Sequence, residues 1–363
     1  MQEGKHVTTQ PAGGARQAAT APGSAAPGQP ATQAVVRLTR AERARRANLD
    51  ILAIFILAQI GCAIGALAAP GKFAYLTAGN IQVMLQAVPE LGIVAIGVGL
   101  LMIAGEFDLS VGANYTFAAI VMASLVTGDG MSPWPAAAIA LAIGLGIGLL
   151  NAAVTFWLRI PSFITTLGSG LFWTGFALFY HGAGFLSFTP SGAFATATSG
   201  NFGILEVEFL WFLALAVACG ALLHRHRIGN WFYAAGGNTV AARAVGVRTR
   251  QVKTVAFAIA GVTAALSGVL ATSRVDSIVP GQGTDLPLNA IAACVIGGVA
   301  LMGGRGTMLG IVLGSALIYT IQDVLLLLRA PGFYLQLFVG LLIIVAAGLN
   351  QLARGRPAGK GSG

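Results

Sequence analysis

Long apolar segments recur along most of the chain and constrain its fold more than any other feature of the sequence. From Ile51 to Gly71 no residue carries a charge, which is long enough for one helical membrane crossing. Only 9% of the residues are charged, against about 25% in an ordinary soluble domain. Backbone polar groups in lipid must be satisfied internally, and the alternating ten-residue strands of outer-membrane barrels are absent from the sequence. The sequence therefore predicts an all-α, polytopic helical membrane protein.

The apolar segments divide into about ten membrane crossings, which form a predicted transmembrane domain over residues 49–350. The first crossing could also be a signal peptide, because Ala66-Leu67-Ala68 resembles a cleavage site. It is longer than a usual signal-peptide core and many crossings follow it, so an uncleaved helix is favoured. The remaining crossings are predicted near residues 80–105, 109–128, 134–158, 162–182, 209–224, 254–273, 286–303, 306–328 and 333–350.

Polar segments flank and interrupt these crossings. Residues 1–48 are predicted to form a disordered basic tail, because their first part has too few apolar side chains to offset chain entropy. Residues 351–363 form a second predicted tail, and residues 183–208 are too polar to cross a membrane. A strongly basic interlude covers residues 225–253 and contains Arg225, Arg227, Arg243, Arg248, Arg250 and Lys253.

The basic residues predict the orientation of the crossings. With ten crossings and a cytoplasmic N-terminus, both tails and residues 225–253 lie in the cytoplasm. Only Lys72, Arg274 and Arg329 of the 21 basic residues then fall outside, as the positive-inside rule favours. The formal net charge of +9 is therefore attributed to membrane topology, and no nucleic-acid partner is expected.

The sequence lacks the motifs of several classes of protein. Neither Gly71-Lys72 nor Gly359-Lys360 is followed by the Ser or Thr of a phosphate-binding loop, so the chain is not expected to bind ATP by itself. The motifs of intramembrane hydrolases are missing too, and we expect no catalytic residues and no enzyme activity. The cysteines are isolated in apolar segments, so neither a disulfide nor a metal site is predicted at Cys62, Cys219 and Cys294.

A polar break separates two apolar runs at Gly105-Glu106-Phe107-Asp108-Leu109-Ser110-Val111-Gly112. Asp108 or Ser110 can cap the following helix, which would be a purely structural role. Carboxylates beside membrane-depth helices are costly unless they face a polar cavity or a partner, so Glu106 and Asp108 can equally line a substrate pathway. The sequence leaves both alternatives open.

Two further segments suggest local structure. In Arg159-Ile160-Pro161-Ser162-Phe163-Ile164-Thr165-Thr166-Leu167-Gly168, the proline suits the start of a new helix, and the paired threonines can bond to helix carbonyls. After Gly236-Gly237-Asn238, residues 239–245 are predicted to form a short helix that ends at Gly246. Such a helix is either a solvated connector or a segment that docks into a groove on a partner protein.

Glycines spaced by four residues favour close helix packing. Gly306, Gly310 and Gly314 form two overlapping GxxxG steps, and Gly144 and Gly148 form another. We expect a neighbouring backbone to approach the first of these ridges closely.

Taken together, these segments resemble the permease subunits of ribose/xylose-type sugar ABC importers, within the branched-chain amino acid/sugar permease superfamily. The resemblance covers about residues 50–350 and rests on five motifs in order. They are Glu106-Phe107-Asp108-Leu109-Ser110-Val111-Gly112, residues 160–168, residues 236–246, Ala290-Ile291-Ala292-Ala293-Cys294-Val295-Ile296-Gly297-Gly298 and Gly303-Gly304-Arg305-Gly306.

The resemblance implies a multi-pass protein of the bacterial inner membrane that translocates a pentose, a hexose or a related polyol by alternating access. It implies cytoplasmic ABC ATPase subunits that bind ATP and Mg²⁺, an extracytoplasmic sugar-binding protein and a second permease copy in a homodimer. The family's coupling helix corresponds to residues 239–246 here. Coupling to the ATPase is accordingly expected at Gly237, Asn238, Ala241, Ala242, Arg243 and Gly246.

Two positions depart from the family pattern. Val240 stands where a Glu usually precedes Ala-Ala, and Pro287-Leu288-Asn289 stands where Glu-Leu-Asp is frequent. A sugar pathway needs hydrogen-bonding groups and aromatic faces. The candidates for such a pathway are Asn80, Gln86, Glu106, Asp108, Asn114, Phe163 and Thr166.

Other functions remain compatible with the sequence. One is an importer permease for branched-chain amino acids or nucleosides, and another is a self-sufficient secondary transporter or channel. A secondary transporter has no need of a docking helix in its basic loop, so residues 225–253 favour the ABC permease. An intramembrane enzyme would need a catalytic set that the sequence lacks.

Overall fold

The computed structural model describes residues 40–354, and the other residues, which hold most of both predicted tails, lie outside the described range. The predicted all-α polytopic fold is confirmed, because seven helices in the described range are long and apolar enough to cross a membrane. Two short antiparallel strand pairs accompany them, β1 with β4 and β2 with β3. In chain order the elements are α1 (Arg40–Ala68), α2 (Ala78–Ile103), α3 (Val111–Thr127), α4 (Pro133–Trp157), α5 (Ser162–His181), β1 (Leu186–Ser187), α6 (Gly192–Thr198), β2 (Asn201–Phe202), β3 (Leu205–Glu206), α7 (Val207–Arg225), α8 (Arg227–Gly237), α9 (Thr239–Ala244), α10 (Thr249–Val275), β4 (Ser277–Ile278), α11 (Leu286–Ile296), α12 (Met308–Leu327) and α13 (Phe333–Arg354).

Several observed boundaries differ from the predicted ones. α1 begins at Arg40, inside the segment predicted to be a tail, because residues 40–48 are mostly Ala and Arg, which favour helix. The predicted crossing at 286–303 is too long, since α11 ends at Ile296 and turns follow. α8 is a helix that the charge pattern of the basic interlude did not indicate.

The bundle has two ends with different chemistry. At the basic end, which holds α8 and α9, the last residues of α2 lie against residues 303–305, and the Gly304 N–H donates to the Ile103 carbonyl at 2.9 Å. At the opposite end, which we call the hairpin end, β1 pairs with β4, and α6 lies in the connection between α5 and α7. The long helices run between these two ends.

α3 and α11 are short because both begin inside the bundle. Gly112, in the first turn of α3, packs so closely on Gly283 that a Cβ there would lie 2.0 Å from the Gly283 carbonyl oxygen. The Gly283 N–H also donates to Thr116 Oγ1 at 3.0 Å. From this point α3 runs to β1 and β4 at the hairpin end, whereas α11 runs toward the basic end. Irregular backbone at membrane depth is tolerated where it is buried in protein or lines a cavity, as it is here.

α10 lies at the centre of the bundle and packs against α2, α3 and α4. α4 and α10 pack closely at Gly144 and Gly148, because a Cβ at either position would lie under 3 Å from a carbonyl oxygen of α10. The acceptors concerned belong to Gly261 and Phe257. The small residues therefore let these two backbones touch.

The ridge of Gly306, Gly310 and Gly314 is only partly as predicted. Gly310 and Gly314 of α12 lie against the backbone at Gly297 and Ala293, so that half of the ridge packs closely on α11 and its C-cap. Gly306 does not belong to the helix, since Thr307 is the N-cap of α12 and its side chain accepts the Gly310 N–H. Gly306 instead has a φ of +149°, and it belongs to the preceding turn.

Candidate functional site

Five polar side chains meet in the hairpin half of the bundle: Glu90, Tyr115, Glu208, Arg274 and Gln282, which we call the Glu90 cluster. Arg274 Nη2 donates to Glu90 Oε2 at 2.7 Å, and Arg274 Nε donates to the two Glu208 oxygens at 3.1 and 3.2 Å. The Tyr115 hydroxyl donates to Glu90 Oε1 at 2.7 Å, and Gln282 Nε2 donates to that hydroxyl at 3.5 Å. One guanidinium therefore holds two carboxylates from different helices.

Helix geometry brings these groups together. Gln82, Gln86 and Glu90 are four residues apart, so they share one face of α2. Glu208 lies in the first turn of α7 and Arg274 lies in the last turn of α10. Because α7 and α10 run in opposite directions between the two ends, both side chains lie in the hairpin half.

The polar face of α2 continues toward the hairpin end. Glu206 is buried, and its Oε1 accepts hydrogen bonds from Gln82 Nε2 at 2.8 Å and from Gln86 Nε2 at 3.1 Å. Gln86, a residue that the sequence placed on the substrate pathway, therefore lies one helical turn from Glu90. Amide and carboxylate groups form a continuous polar strip in this half of α2.

The cluster combines burial with charge. The side chain of Glu208 is 3% exposed, whereas those of Arg274 and Glu90 are 22% and 25% exposed. Ionisable residues inside membrane-spanning helices are rare and usually mark substrate or ion pathways. Because Glu90 and Arg274 keep part of their surface accessible, a polar solute that enters this half of the bundle can contact them.

The sequence patterns did not single out Glu90, Glu208 or Arg274. Glu90 is a lone carboxylate in the middle of the predicted crossing 80–105, and this is the signal that could have identified it. Its partners come from helices that are distant in sequence. Only the folded structure brings them together.

Asp108 belongs to a second polar group, just before α3. It is 1% exposed, and its Oδ1 accepts from the Ser110 N–H at 2.8 Å and from Ser110 Oγ at 2.6 Å. Asn151 Nδ2 donates to Ser110 Oγ at 2.7 Å and to Asp108 Oδ2 at 3.4 Å. Ser110 is the N-cap of α3 but forms no side-chain capping bond. Asp108 and Ser110 therefore attach the connector to α4 instead of capping α3 with their side chains.

Thr166 and Asn114 also hold backbone segments together. Thr166 Oγ1 accepts from the Leu109 N–H at 3.0 Å and donates to the Ser162 carbonyl at 2.8 Å, so α5 fixes the same connector as Asp108. Asn114 Nδ2 donates to the Gly144 and Gly261 carbonyls at 3.2 Å each. Asn114 thereby joins α3 to α4 and α10.

We expect Asp108→Ala to reduce the amount of folded protein, whereas Asp108→Asn should be mild. Alanine leaves the buried N–H and hydroxyl of Ser110 without their acceptor, at a cost of about 1–3 kcal/mol. Asparagine keeps one acceptor oxygen in the same place. Immunoblots of isolated membranes measure the effect, with the exposed Asp129→Ala as the control. Equal protein amounts for the wild type and Asp108→Ala would contradict this structural role.

The remaining predicted pathway residues lie in separate places. Asn80 Nδ2 donates to Asp323 Oδ2 at 2.9 Å, between the first turn of α2 and the last turns of α12. Glu106 forms an ion pair with Lys253 at the basic end. Phe163 is 53% exposed in the first turn of α5. The structure therefore does not gather the seven candidates into one site.

One face of α5 carries buried polar atoms without hydrogen-bond partners in the described part of the chain. They are Thr165 Oγ1, Ser169 Oγ and Trp173 Nε1, which follow one another at intervals of four residues. The Trp173 ring also packs against Phe117 of α3, with ring centroids 5.0 Å apart. Buried polar groups of this kind are normally satisfied by water or by a ligand. These three atoms therefore have unmet hydrogen-bonding capacity inside the bundle.

Metal coordination is not a feature of the residues that the structure describes. Within that range no three His, Cys, Asp or Glu side chains are placed to hold a metal ion, and the three cysteines are free. The side chains of the Glu90 cluster provide hydrogen bonds and paired charges, and the α5 face adds the aromatic ring of Trp173.

The basic interlude folds into two short helices. Asn238 is the N-cap of α9, and its Oδ1 accepts from the Ala241 N–H at 2.9 Å. Ala242 is buried, whereas Val240 is exposed. Gly246 follows α9 with a φ of +86°, so the predicted short helix and its glycine stop are confirmed.

Directly before α9 lies a junction, where the last turn of α8 meets two glycine-containing turns, one after α2 and one before α12. A Cβ on Gly236 would lie 2.0 Å from the Ile103 carbonyl oxygen and 2.8 Å from the Gly304 nitrogen. The neighbouring Tyr233 hydroxyl donates to the Gly306 carbonyl at 2.7 Å. The loop that carries α9 is therefore in backbone contact with the end of α2 and with the turn before α12.

Comparisons with known proteins cover all of these features. A family profile described as "Branched-chain amino acid transport system / permease component" matches residues 80–347. The chain is 33% identical over 271 residues to the autoinducer 2 import system permease protein LsrC of Salmonella choleraesuis, covering 74% of this chain and 77% of that protein. It is 35% identical over 288 residues to the xylose/arabinose import permease protein XylH of Sulfolobus acidocaldarius, covering 77% and 80%.

Proposed function

The chain belongs to the family of branched-chain amino acid transport system permease components, and we propose that it is the membrane-spanning subunit of an ABC importer for a sugar or a related polyol. The observation that carries the substrate class is its similarity, over about three quarters of its length, to permeases named for xylose/arabinose import and autoinducer 2 import. The family name alone would favour branched-chain amino acids, which makes this the alternative substrate class.

The chemistry of the interior supports a neutral, hydroxyl-rich solute. The Glu90 cluster places carboxylate acceptors and guanidinium and amide donors together. The α5 face adds two hydroxyl groups and an indole N–H that lack partners in the described part of the chain. Sugar sites combine such hydrogen-bonding groups with aromatic faces. An apolar amino-acid side chain would leave most of these groups unmatched.

The power for transport comes, in this proposal, from partner subunits. Separate ATPase subunits bind ATP and Mg²⁺ and dock on α9, while a sugar-binding protein delivers the substrate to the hairpin end of a permease homodimer. Motion of the ATPases then shifts the permease between two conformations that open to opposite sides. The short length of α9 and its exposed Val240 are typical of a segment that inserts into a groove on a partner.

The charge distribution supports an orientation with the basic end in the cytoplasm. The interlude of residues 225–253 carries six of the eleven basic residues between positions 72 and 329, whereas Lys72, Arg274 and Arg329 lie toward the other end. This orientation places both termini in the cytoplasm of a bacterial inner-membrane protein. Labelling of an Arg243→Cys variant from outside intact cells with a membrane-impermeant reagent would overturn it.

Uptake by the native host tests the substrate class. Deletion of the gene should abolish uptake of at least one labelled pentose or hexose, and the restored gene should recover it. Leucine and uridine are the matched comparisons, measured in the same strains. Loss of leucine or uridine uptake with unchanged sugar uptake would establish the alternative substrate classes instead.

A Gly246→Val variant should insert normally but bind the ATPase poorly. A β-branched residue at a φ of +86° is strained by about 1–3 kcal/mol, which alters the end of α9. No atom lies within 4 Å of a Cβ at this position, so backbone strain is the main perturbation. Co-purification of the ATPase with tagged permease, relative to the amount of permease, measures the effect.

Gly203→Val is the matched control for this experiment. Gly203 has a φ of +71° in the turn between β2 and β3, and it also has open space around it. The strain is similar, but the site lies at the hairpin end. If both variants lose the ATPase equally, the effect reflects general destabilisation and α9 is not the docking element.

A further inference from the structure

An open groove of about 600 Å³ lies between α4 and α10 at the basic end of the bundle. Its walls include Leu149 and Phe156 of α4 and Val255 of α10, and Arg250 lies at the beginning of α10. The volume falls within the range of about 300–1,000 Å³ that is usual for small-molecule sites. This groove is separate from the Glu90 cluster, which lies in the hairpin half.

The groove is amphipathic along the direction of the helices. Its body is lined by apolar side chains of two helices that are long enough to cross a membrane. Its polar residues come from the first two turns of α10, where Arg250 and Gln251 are exposed. A ligand that matches it has a hydrocarbon part toward the membrane centre and a polar group at the membrane surface.

The charge at the polar end favours an anion. Arg250 forms no ion pair with any residue in the range that the structure describes. Two further arginines are near in sequence to residues of the groove: Arg248 precedes Arg250 by two residues, and Arg159 follows Trp157 by two residues. Arg159, Arg248 and Arg250 are all exposed. No acidic residue lines the groove. Basic pockets between membrane helices bind anionic lipid headgroups.

Trp157 marks the level of the membrane surface. Its side chain is 84% exposed at the last position of α4 and borders the groove. Tryptophan is enriched where its ring can lie among lipid headgroups. Arg250, on the same groove, is therefore placed at headgroup level, and the apolar walls lie at the level of the acyl chains.

We propose that this groove binds one anionic phospholipid, with the phosphate group beside Arg250 and an acyl chain between Leu149, Phe156 and Val255. The lipid joins the start of α10, the central helix, to the end of α4. Arg250, which contacts its phosphate group in this proposal, also follows shortly after α9 in the sequence. The site does not depend on the identity of the transported substrate.

Native mass spectrometry of the purified, delipidated full chain tests this site. The probes are phosphatidylglycerol and phosphatidylcholine with identical acyl chains, titrated separately. Wild type should bind phosphatidylglycerol about fivefold more tightly, which is the usual effect of one arginine on an anionic lipid. Arg250→Gln should remove this preference, and Ala153→Trp, which fills the groove from an exposed position of α4, should weaken binding of both lipids.

Arg227→Gln is the matched control, since it removes an exposed charge from α8 in the same basic interlude but does not line the groove. It should leave both affinities unchanged. Equal affinity of wild type for the two lipids, or an equal loss in Arg227→Gln and Arg250→Gln, would overturn the proposal. If Ala153→Trp leaves lipid binding intact and instead separates a dimer of the chain, a second copy occupies the groove and the lipid site is wrong.

Discussion

An Arg274→Met variant is expected to lose most of its folded protein from the membrane. The substitution removes the only cation in the Glu90 cluster and leaves Glu90 and Glu208 close together without compensation. Removing one partner of a buried ion pair costs about 3–5 kcal/mol, and the low end applies because Glu90 is partly accessible. A loss of this size is a large fraction of the total free energy of unfolding of a typical protein, which is about 5–15 kcal/mol. Quantitative immunoblots of membranes from cells with matched expression measure it.

A triple variant separates a structural role of the Glu90 cluster from a role in substrate transport. Arg274→Met combined with Glu90→Gln and Glu208→Gln removes all three charges, and such neutral replacements are often tolerated. We expect the protein amount to recover, while sugar uptake per molecule stays at least tenfold low because the carboxylates of the candidate site are missing. Full recovery of uptake would limit the cluster to structure. A wild-type amount of the single variant would show that Arg274 does not stabilise the fold.

The sequence predicts this fold well where one physical property decides the outcome. An apolar segment such as residues 51–71 must cross the membrane as a helix, because lipid offers its backbone no hydrogen bonds. Both limits of α9 are also predictable, since Asn238 can cap its start and Gly246 can adopt a positive φ after its end. Each of these features depends on neighbours in sequence.

The candidate site is harder to predict because it depends on contacts between distant segments. Asp108 looks like a helix cap in sequence, yet its carboxylate is used by Ser110 and Asn151. α11 looks long enough to cross the membrane, yet it begins in the interior, where Gly283 meets Gly112. Hydropathy records how apolar a segment is, but not the depth at which its helix starts.

Gly236→Ala is expected to reduce transport at least tenfold with a smaller effect on the amount of protein. Its Cβ would lie 2.0 Å from the Ile103 carbonyl oxygen and 2.8 Å from the Gly304 nitrogen, distances that real contacts do not reach. Overpacking of this kind costs about 1–3 kcal/mol, and the atoms concerned are backbone and cannot rotate away. The three turns must separate. Motion of α9 would then no longer reach the end of α2 directly.

Gly237→Ala provides the control because it changes the same residue type one position later. The nearest atom to its Cβ would be Gly304 Cα at 3.8 Å, which is an ordinary contact, and the added methyl group favours the helix. We therefore expect Gly237→Ala to keep far more uptake than Gly236→Ala, and an equal loss in both variants would instead support the coupling role that the sequence predicts for Gly237. ATPase co-purification should be normal in both variants, because the surface of α9 that we propose as the docking surface is unchanged. Loss of transport in Gly236→Ala with the ATPase still bound identifies the junction as the step between docking and helix movement. Normal uptake in Gly236→Ala would mean that the contact of Gly236 with Ile103 and Gly304 is not needed for coupling.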